Sequence, residues 1–243
     1  MKSIAFYVQK GGTGKTTMTG LVGAALSKKY KTLFVDGDPQ GNLTSWFITE
    51  PLAHDLGDVM RGKASLEDSI TDGILPTIAL DGVLKTWSES SLMQKPFAFH
   101  DLVENIASMG FEVCLFDLGP GISLLEKSIL AAMDEVVPVM AAEYFSVDGL
   151  EIFENELAKL KADRRTEIRA DKLVINRVNR SFALHKAYRR SLEERRYEIF
   201  TVGQSTSISD CVPMHQTLEE FDPKNKNLKT IEALAGALMN GRG

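Results

Sequence analysis

The feature that most restricts the fold of this chain is a glycine-rich loop set directly after a short apolar run. Ile4–Val8 is apolar at every position, and Gln9-Lys10-Gly11-Gly12-Thr13-Gly14-Lys15-Thr16-Thr17 follows it without a break. Beyond the loop, Leu21, Val22, Ala25 and Leu26 recur at helical spacing. Strand, glycine loop and helix in immediate succession form a phosphate cradle. Glycines let backbone N–H groups curl around phosphate oxygens, and the helix N-terminus adds a favourable dipole. Lys15 is then placed to reach the β- and γ-phosphates, and the Thr16 hydroxyl to ligate Mg²⁺.

The rest of the chain alternates in the same way. Thr32–Val35, Ile74–Leu80, Val113–Phe116, Glu135–Val139, Lys172–Ile175 and Ile199–Val202 are expected strands. Several are apolar at consecutive positions, as in central parallel strands covered on both faces. Val147, Leu150, Phe153, Leu157 and Leu160 form a helical stripe, as do Leu228, Ile231, Leu234 and Leu238. The pattern predicts an α/β fold: a doubly wound, mostly parallel sheet with helices on both faces and ligands at the carboxyl ends of the strands. All 243 residues are expected to form a single domain. The stretch from Glu50 to Ser91, with Pro51, Gly57, Gly62, Gly73, Pro76 and Gly82, reads as short helices and loops flanking it.

Composition narrows the function. A net charge of −5 gives no overall attraction to nucleic acid, so any such binding needs a local patch. Cys114 and Cys211 have no metal or disulfide spacing, which suits a reduced cytoplasmic setting. The first residues lack the pattern of a signal peptide, and no apolar stretch is long enough to span a membrane. With the first strand starting at once, no N-terminal helix-turn-helix extension is expected.

Two strands end in carboxylates beside the loop. One is Val35-Asp36-Gly37-Asp38-Pro39-Gln40-Gly41-Asn42; the other is Val113-Cys114-Leu115-Phe116-Asp117-Leu118-Gly119-Pro120-Gly121. Carboxylates at the tips of buried strands are costly unless a cation or water needs them. In the loop, Gln9 stands where the common phosphate-loop pattern has its first glycine, and Lys10 is an added lysine. This deviant Walker A form, together with Asp-x-Asp-Pro-Gln-Gly-Asn, resembles the ParA, MinD and nitrogenase iron-protein superfamily of P-loop NTPases, ParA most of all.

The resemblance implies roles residue by residue. Lys10 would cross a dimer interface to the partner's nucleotide, acting there with Lys15 on the transferring phosphate. Asp38 would orient the attacking water. Thr16, Asp36 and Asp117 would serve Mg²⁺. The ATP site would comprise Lys10, Gly11, Gly12, Thr13, Gly14, Lys15, Thr16 and Thr17, with Asn176 at the adenine edge and Arg177 and Pro213 nearby. One departure stands out: relatives carry Asp-Thr-Pro-Pro where this chain has Asp-Leu-Gly-Pro-Gly, so Leu118 cannot make a threonine's hydrogen bonds to the metal's waters.

Between Arg177 and Arg196, seven basic side chains stand against Glu193 and Glu194, a local surplus of five in an acidic chain. Such a cluster is the footprint of phosphate-backbone binding. Arg180, Lys186, Arg189, Arg190, Arg195 and Arg196 are the candidate DNA contacts. By resemblance, an ATP-dependent homodimer would bind DNA non-specifically, associate with the nucleoid, and segregate or position DNA or other cargo. A ParB-like or other cargo adaptor would stimulate an otherwise slow hydrolysis of ATP to ADP and phosphate.

Alternatives are a MinD-like membrane-associated ATPase and a nucleotide-binding regulatory module with little turnover. The final helix, with Lys229 opposed by Glu232, lacks the basic face that membrane binding requires. An electron-transfer iron protein would need a cysteine soon after Asp117, whereas Cys114 precedes it.

Overall fold

The computed structural model describes residues 1–79, 91–142, 146–164, 166–179, 190 and 195–240. In chain order the strands are β1 (Lys2–Phe6), β2 (Thr32–Asp36), β3 (Ile70–Asp72), β4 (Pro76–Ile78), β5 (Val113–Asp117), β6 (Glu135–Val137), β7 (Val139–Ala141), β8 (Lys172–Val178) and β9 (Glu198–Gly203). The helices are α1 (Lys15–Ser27), α2 (Asn42–Phe47), α3 (Leu56–Arg61), α4 (Ala98–Ser108), α5 (Leu124–Ala131), α6 (Ser146–Arg164), α7 (Thr206–Asp210), α8 (Leu218–Phe221) and α9 (Leu228–Asn240).

Strand order is β3-β4-β2-β5-β1-β6 in one ladder and β7-β8-β9 in the other. Every pairing is parallel except β3 with β4. Proline divides the two ladders: Pro138, which has no N–H to donate, separates β6 from β7. Its carbonyl still accepts from Val174 N at 3.0 Å, so the chain leaves β1 and joins β8 within one extended passage. This resolves the expected strand Glu135–Val139 into two.

Alternate side chains of β1 feed opposite layers. Ile4 and Phe6 pack with Met18, Val22 and Leu26 of α1 and with Ile231, Leu234 and Leu238 of α9. Ala5 packs with Phe99, Leu102 and Ile106 of α4, Ile129 of α5, and Leu150 and Phe153 of α6. Each large side chain buried in this way contributes roughly 1.5–3 kcal/mol. The layer holding α1 is unusually close to its neighbours. A Cβ at Gly20 would stand 2.2 Å from Trp46 Cζ3, and one at Gly23 2.2 Å from Phe34 Cε1. Two glycines inside a helix cost about 1 kcal/mol each in propensity, and here they admit two aromatic rings.

The doubly wound, mostly parallel sheet expected from sequence is what the chain adopts. Boundaries differ at several places. β1 stops at Phe6, short of Val8, and β8 runs on to Val178. The run Ile74–Leu80 yields β4 only over Pro76–Ile78, with Leu80 outside the described residues, and the antiparallel β3 and the helix α4 were not anticipated. Among the described residues no helix is long and apolar enough to cross a membrane.

Candidate functional site

Parallel pairing brings three strand ends together. Phe6 and Asp36 both lie in register with Asp117, so the tips of β1, β2 and β5 stand side by side. The phosphate loop leaves β1 here and turns into α1 through Gly12 (φ 73°) and Gly14 (φ 100°), both left-handed. Gly14 caps α1, and a Cβ there would be 2.2 Å from Asn176 Nδ2, so conformation and space both require glycine.

Lys15 lies under the loop, 7% exposed, and donates to Lys10 O at 3.1 Å. Burial pushes its ammonium below the usual lysine range, while Asp117, Asp38 and Glu126 pull it back up. Lys10, Gly11 and Gly12 are exposed on the rim. Thus the two lysines of one loop face different surroundings.

The carboxylates are equally distinct. Asp117 is fully buried; Thr19 Oγ1 lies 3.5 Å from its Oδ1, and the neighbouring Thr16 hydroxyl pulls its pKa down. Its Oδ2 is buried with no hydrogen-bond partner. Burial, and then the neighbouring Asp36 carboxylate, hold Asp117 well above the usual carboxylate range. Asp36 is pushed up to about 6 by burial, against the pull of Thr44, whose N and Oγ1 donate to Oδ2 at 2.8 and 2.7 Å. Asp36 Oδ1 accepts from Asp38 N at 3.1 Å. Asp38 is 5% exposed, and its Oδ1 accepts from Gln40 N at 3.0 Å.

These residues suit a hard divalent cation. A buried carboxylate oxygen lacks any partner, and the Thr16 hydroxyl stands next to the same group. Among the described residues no three His, Cys, Asp or Glu side chains converge on one point. A metal held by Thr16 and Asp117 would therefore complete its shell with phosphate and water.

The loop borders a cleft of about 560 Å³. Gly11, Gly12, Gly14, Lys15, Thr16 and Thr17 form its floor, Asp38 one wall, and Arg177 and Pro213 another. Thr13 is buried behind the floor, its hydroxyl without a partner. Asn176 is buried at the end of β8 with its amide turned to the loop. Nδ2 donates to Thr13 O at 2.8 Å, and Oδ1 accepts from Arg177 N at 2.9 Å. Arg177 is left-handed (φ 55°) at an irregularity in β8, and its Nη1 donates to Gly12 O at 2.9 Å. The end of β8 thereby grips two successive carbonyls of the phosphate loop.

Of the candidate DNA contacts, Arg190 and Arg196 are exposed. Arg195 is half-buried and bridges to Glu151 at 2.6 Å and Glu154 at 3.6 Å on α6. Arg180, Lys186 and Arg189 lie outside the described residues.

Three residues at the site escaped the sequence reading. The Tyr7 hydroxyl donates to Gly121 O, and Gly121 N donates to Gln9 O at 3.2 Å, tying the segment after Asp117 to the loop. Thr44 holds Asp36, as above. Trp46 also lines the cleft and donates from Nε1 to Gln216 O at 3.0 Å, joining α2 to the segment that carries Pro213. Each acts through a fold-dependent contact, so residue type alone carried no signal.

Comparison with known proteins adds relatives to this geometry. The AAA_31 family model, described as an AAA domain, matches residues 1–170. Uncharacterized protein BBD21 of Borreliella burgdorferi is 30% identical, the match covering 98% of this chain and 99% of that protein. Chromosome partitioning protein ParA of Myxococcus xanthus is 24% identical over 95% of this chain and 85% of its own. Among solved structures, the ATP complex of Cyanothece McdA superposes with a TM-score of 0.87 at 19% identity, covering 98% of this chain and 96% of that one. At that identity the likeness is one of fold.

Proposed function

Because the chain belongs to the AAA_31 family, within the ParA/MinD superfamily of P-loop ATPases, we propose that it is an ATP-switched positioning ATPase that works as a nucleotide-sandwich dimer on DNA. Its own residues divide the work. The backbone N–H groups from Gly11 to Thr17 cradle the phosphates, and Lys15 binds the β- and γ-phosphates from beneath. Arg177 and Pro213 border the base, while Asn176, its amide engaged with Thr13 O and Arg177 N, braces the loop instead of reading the adenine edge. Asp38 orients the attacking water, and Lys10 of a second copy reaches the transferring phosphate. Mg²⁺ held by Thr16 and Asp117 would neutralise phosphate charge.

The observation that carries this reading is the contrast between the two lysines: Lys15 buried beneath the loop, Lys10 exposed on its rim. Exposure of Lys10 on the rim is compatible with reaching a neighbouring copy, and burial of Lys15 beneath the loop with serving its own. DNA would bind through the cluster from Arg180 to Arg196, and a cargo-bound adaptor protein would stimulate hydrolysis and release.

Gel filtration with light scattering, and DNA binding, in ADP and in a non-hydrolysable ATP analogue, test the switch. The analogue should give a dimer that binds DNA of any sequence with steep salt dependence, while ADP should give neither. Lys10→Ala should bind the analogue yet remain monomeric. A wild-type chain that stays monomeric and DNA-free when saturated with analogue overturns the proposal.

A further inference from the structure

Asp36 and Asp117 stand in register on neighbouring strands and are both fully buried, yet their oxygens are used differently. Asp117 retains an oxygen with no partner. Asp36 has donors on both oxygens: Asp38 N on Oδ1, and the N and Oγ1 of Thr44 on Oδ2. The two oxygens thus hold the two ends of a single turn. That turn runs through Gly37, Asp38, Pro39, Gln40 and Gly41 into α2, and it is also held by Gln40 N to Asp38 Oδ1, Gly41 N to Asp38 O at 2.8 Å, Gly37 N to Asp117 O at 2.8 Å and Ser45 N to Gly41 O at 2.9 Å.

A buried carboxylate bonded to three donors is a strong and directional brace, because charge-assisted hydrogen bonds are about twice as strong as neutral ones. What it braces is the backbone of Asp38. We infer that Asp36 and Thr44 are positioning residues for Asp38: the Thr44 hydroxyl fixes the Asp36 carboxylate, which fixes the turn that aims Asp38 into the cleft. On this view Asp36 serves hydrolysis through the loop, and the metal falls to Asp117 and Thr16. The inference rests on the reading of Asp38 as the group that orients water.

Thr44 is the residue to change, since valine keeps its branched shape and exchanges the hydroxyl for a methyl group. The readouts are slow phosphate release by the purified full chain over a range of ATP concentrations, binding of Mg·ADP, and thermal melting. For T44V we expect kcat to fall roughly tenfold or more, with KM for ATP and the affinity for Mg·ADP within about twofold of wild type. T44S, which restores the hydroxyl, should return kcat to near the wild-type value. Should T44V melt early, Thr44→Ala replaces it.

Asp38→Ala separates the two layers of the argument. If Asp38→Ala is inactive while T44V turns over at the wild-type rate, the positioning inference is overturned and the role of Asp38 stands. If Asp38→Ala hydrolyses normally, the role of Asp38 fails and the inference goes with it. A T44V protein that loses Mg·ADP affinity in step with kcat, or a T44S protein as slow as T44V, would make Thr44 a structural residue only and equally overturn the inference.

Discussion

Both ends of the central sheet bury charge, but they treat it in opposite ways. At the amino ends of the strands, Glu135 is fully buried between Lys2 and Lys172, with Nζ–Oε distances of 2.5 and 2.8 Å. Arg169 approaches at 3.5 Å, and Lys2 also donates to Leu238 O of α9. Burial works against the Lys172 ammonium, yet its hydrogen bonds to Glu135 and Asp171 outweigh this and leave its pKa raised. At the carboxyl ends, Asp36 and Asp117 are buried side by side with the same sign, and one oxygen of Asp117 has no partner. One end is electrostatically closed; the other is completed only by what binds. A protein can thus confine the cost of buried charge to the place where a ligand removes it.

The largest effect should come from opening the closed end. Glu135→Gln leaves two buried ammonium groups without their shared carboxylate, a loss of about 3–5 kcal/mol. For a chain of this length that lowers the melting temperature by roughly 10 °C, while nucleotide affinity measured well below the transition stays unchanged. A drop no larger than that of an exposed pair would show that the cluster is not the closed unit described.

A smaller change of opposite sign is expected at the open end. Asp117 holds its proton more tightly folded than unfolded, because its folded pKa is raised by burial and by Asp36. Its contribution to stability is therefore most favourable at low pH. It is lost as pH rises from the ordinary carboxylate value, about 4, through the raised folded value. Asp117→Asn should raise the melting temperature of the nucleotide- and metal-free protein at neutral pH, about 2–4 °C for each kcal/mol relieved, with the gain vanishing near pH 4. Saturating Mg·ATP should reverse the order by stabilising wild type more than the variant. Equal melting of the two proteins at neutral pH would contradict the account of Asp117.

The smallest effect calibrates both ends. Arg195 and Glu151 form a close ion pair that is partly open to solvent. Arg195→Gln should leave the melting temperature within about 1 °C of wild type. A loss comparable to that from Glu135→Gln would mean that burial is not what distinguishes these pairs.

The open end was the more legible in sequence. Its glycines and aspartates sit within a few residues of one another at the ends of apolar runs, so local pattern sufficed to place Lys15, Asp38 and Asp117 at the carboxyl ends of the strands. The closed end was not legible at all. Lys2 and Glu135 are 133 residues apart, and Lys172 lies a further 37 on. Each alone looks like an ordinary surface charge until the strand order is known. Between these extremes lie Asn176 and Arg177: their positions were readable, but the left-handed turn at Arg177 was not, since that backbone is uncommon for a non-glycine residue. Thr44 was hidden for another reason: its hydroxyl meets Asp36 only after the intervening loop has folded back. The split at Pro138 needed only the rule that proline cannot donate, but the change of partner it marks is a property of the whole sheet.

The two glycine notches in α1 have a meaning beyond packing. This helix begins at the phosphate loop, so the depth to which it sinks toward Trp46 and Phe34 sets the height of Lys15 and Thr16 above Asp117. A methyl group at position 20 or 23 would lift the rod and shift its mouth. The alignment of the nucleotide cradle with its carboxylates is thus governed two turns away, by side chains too small to be seen as part of the chemistry.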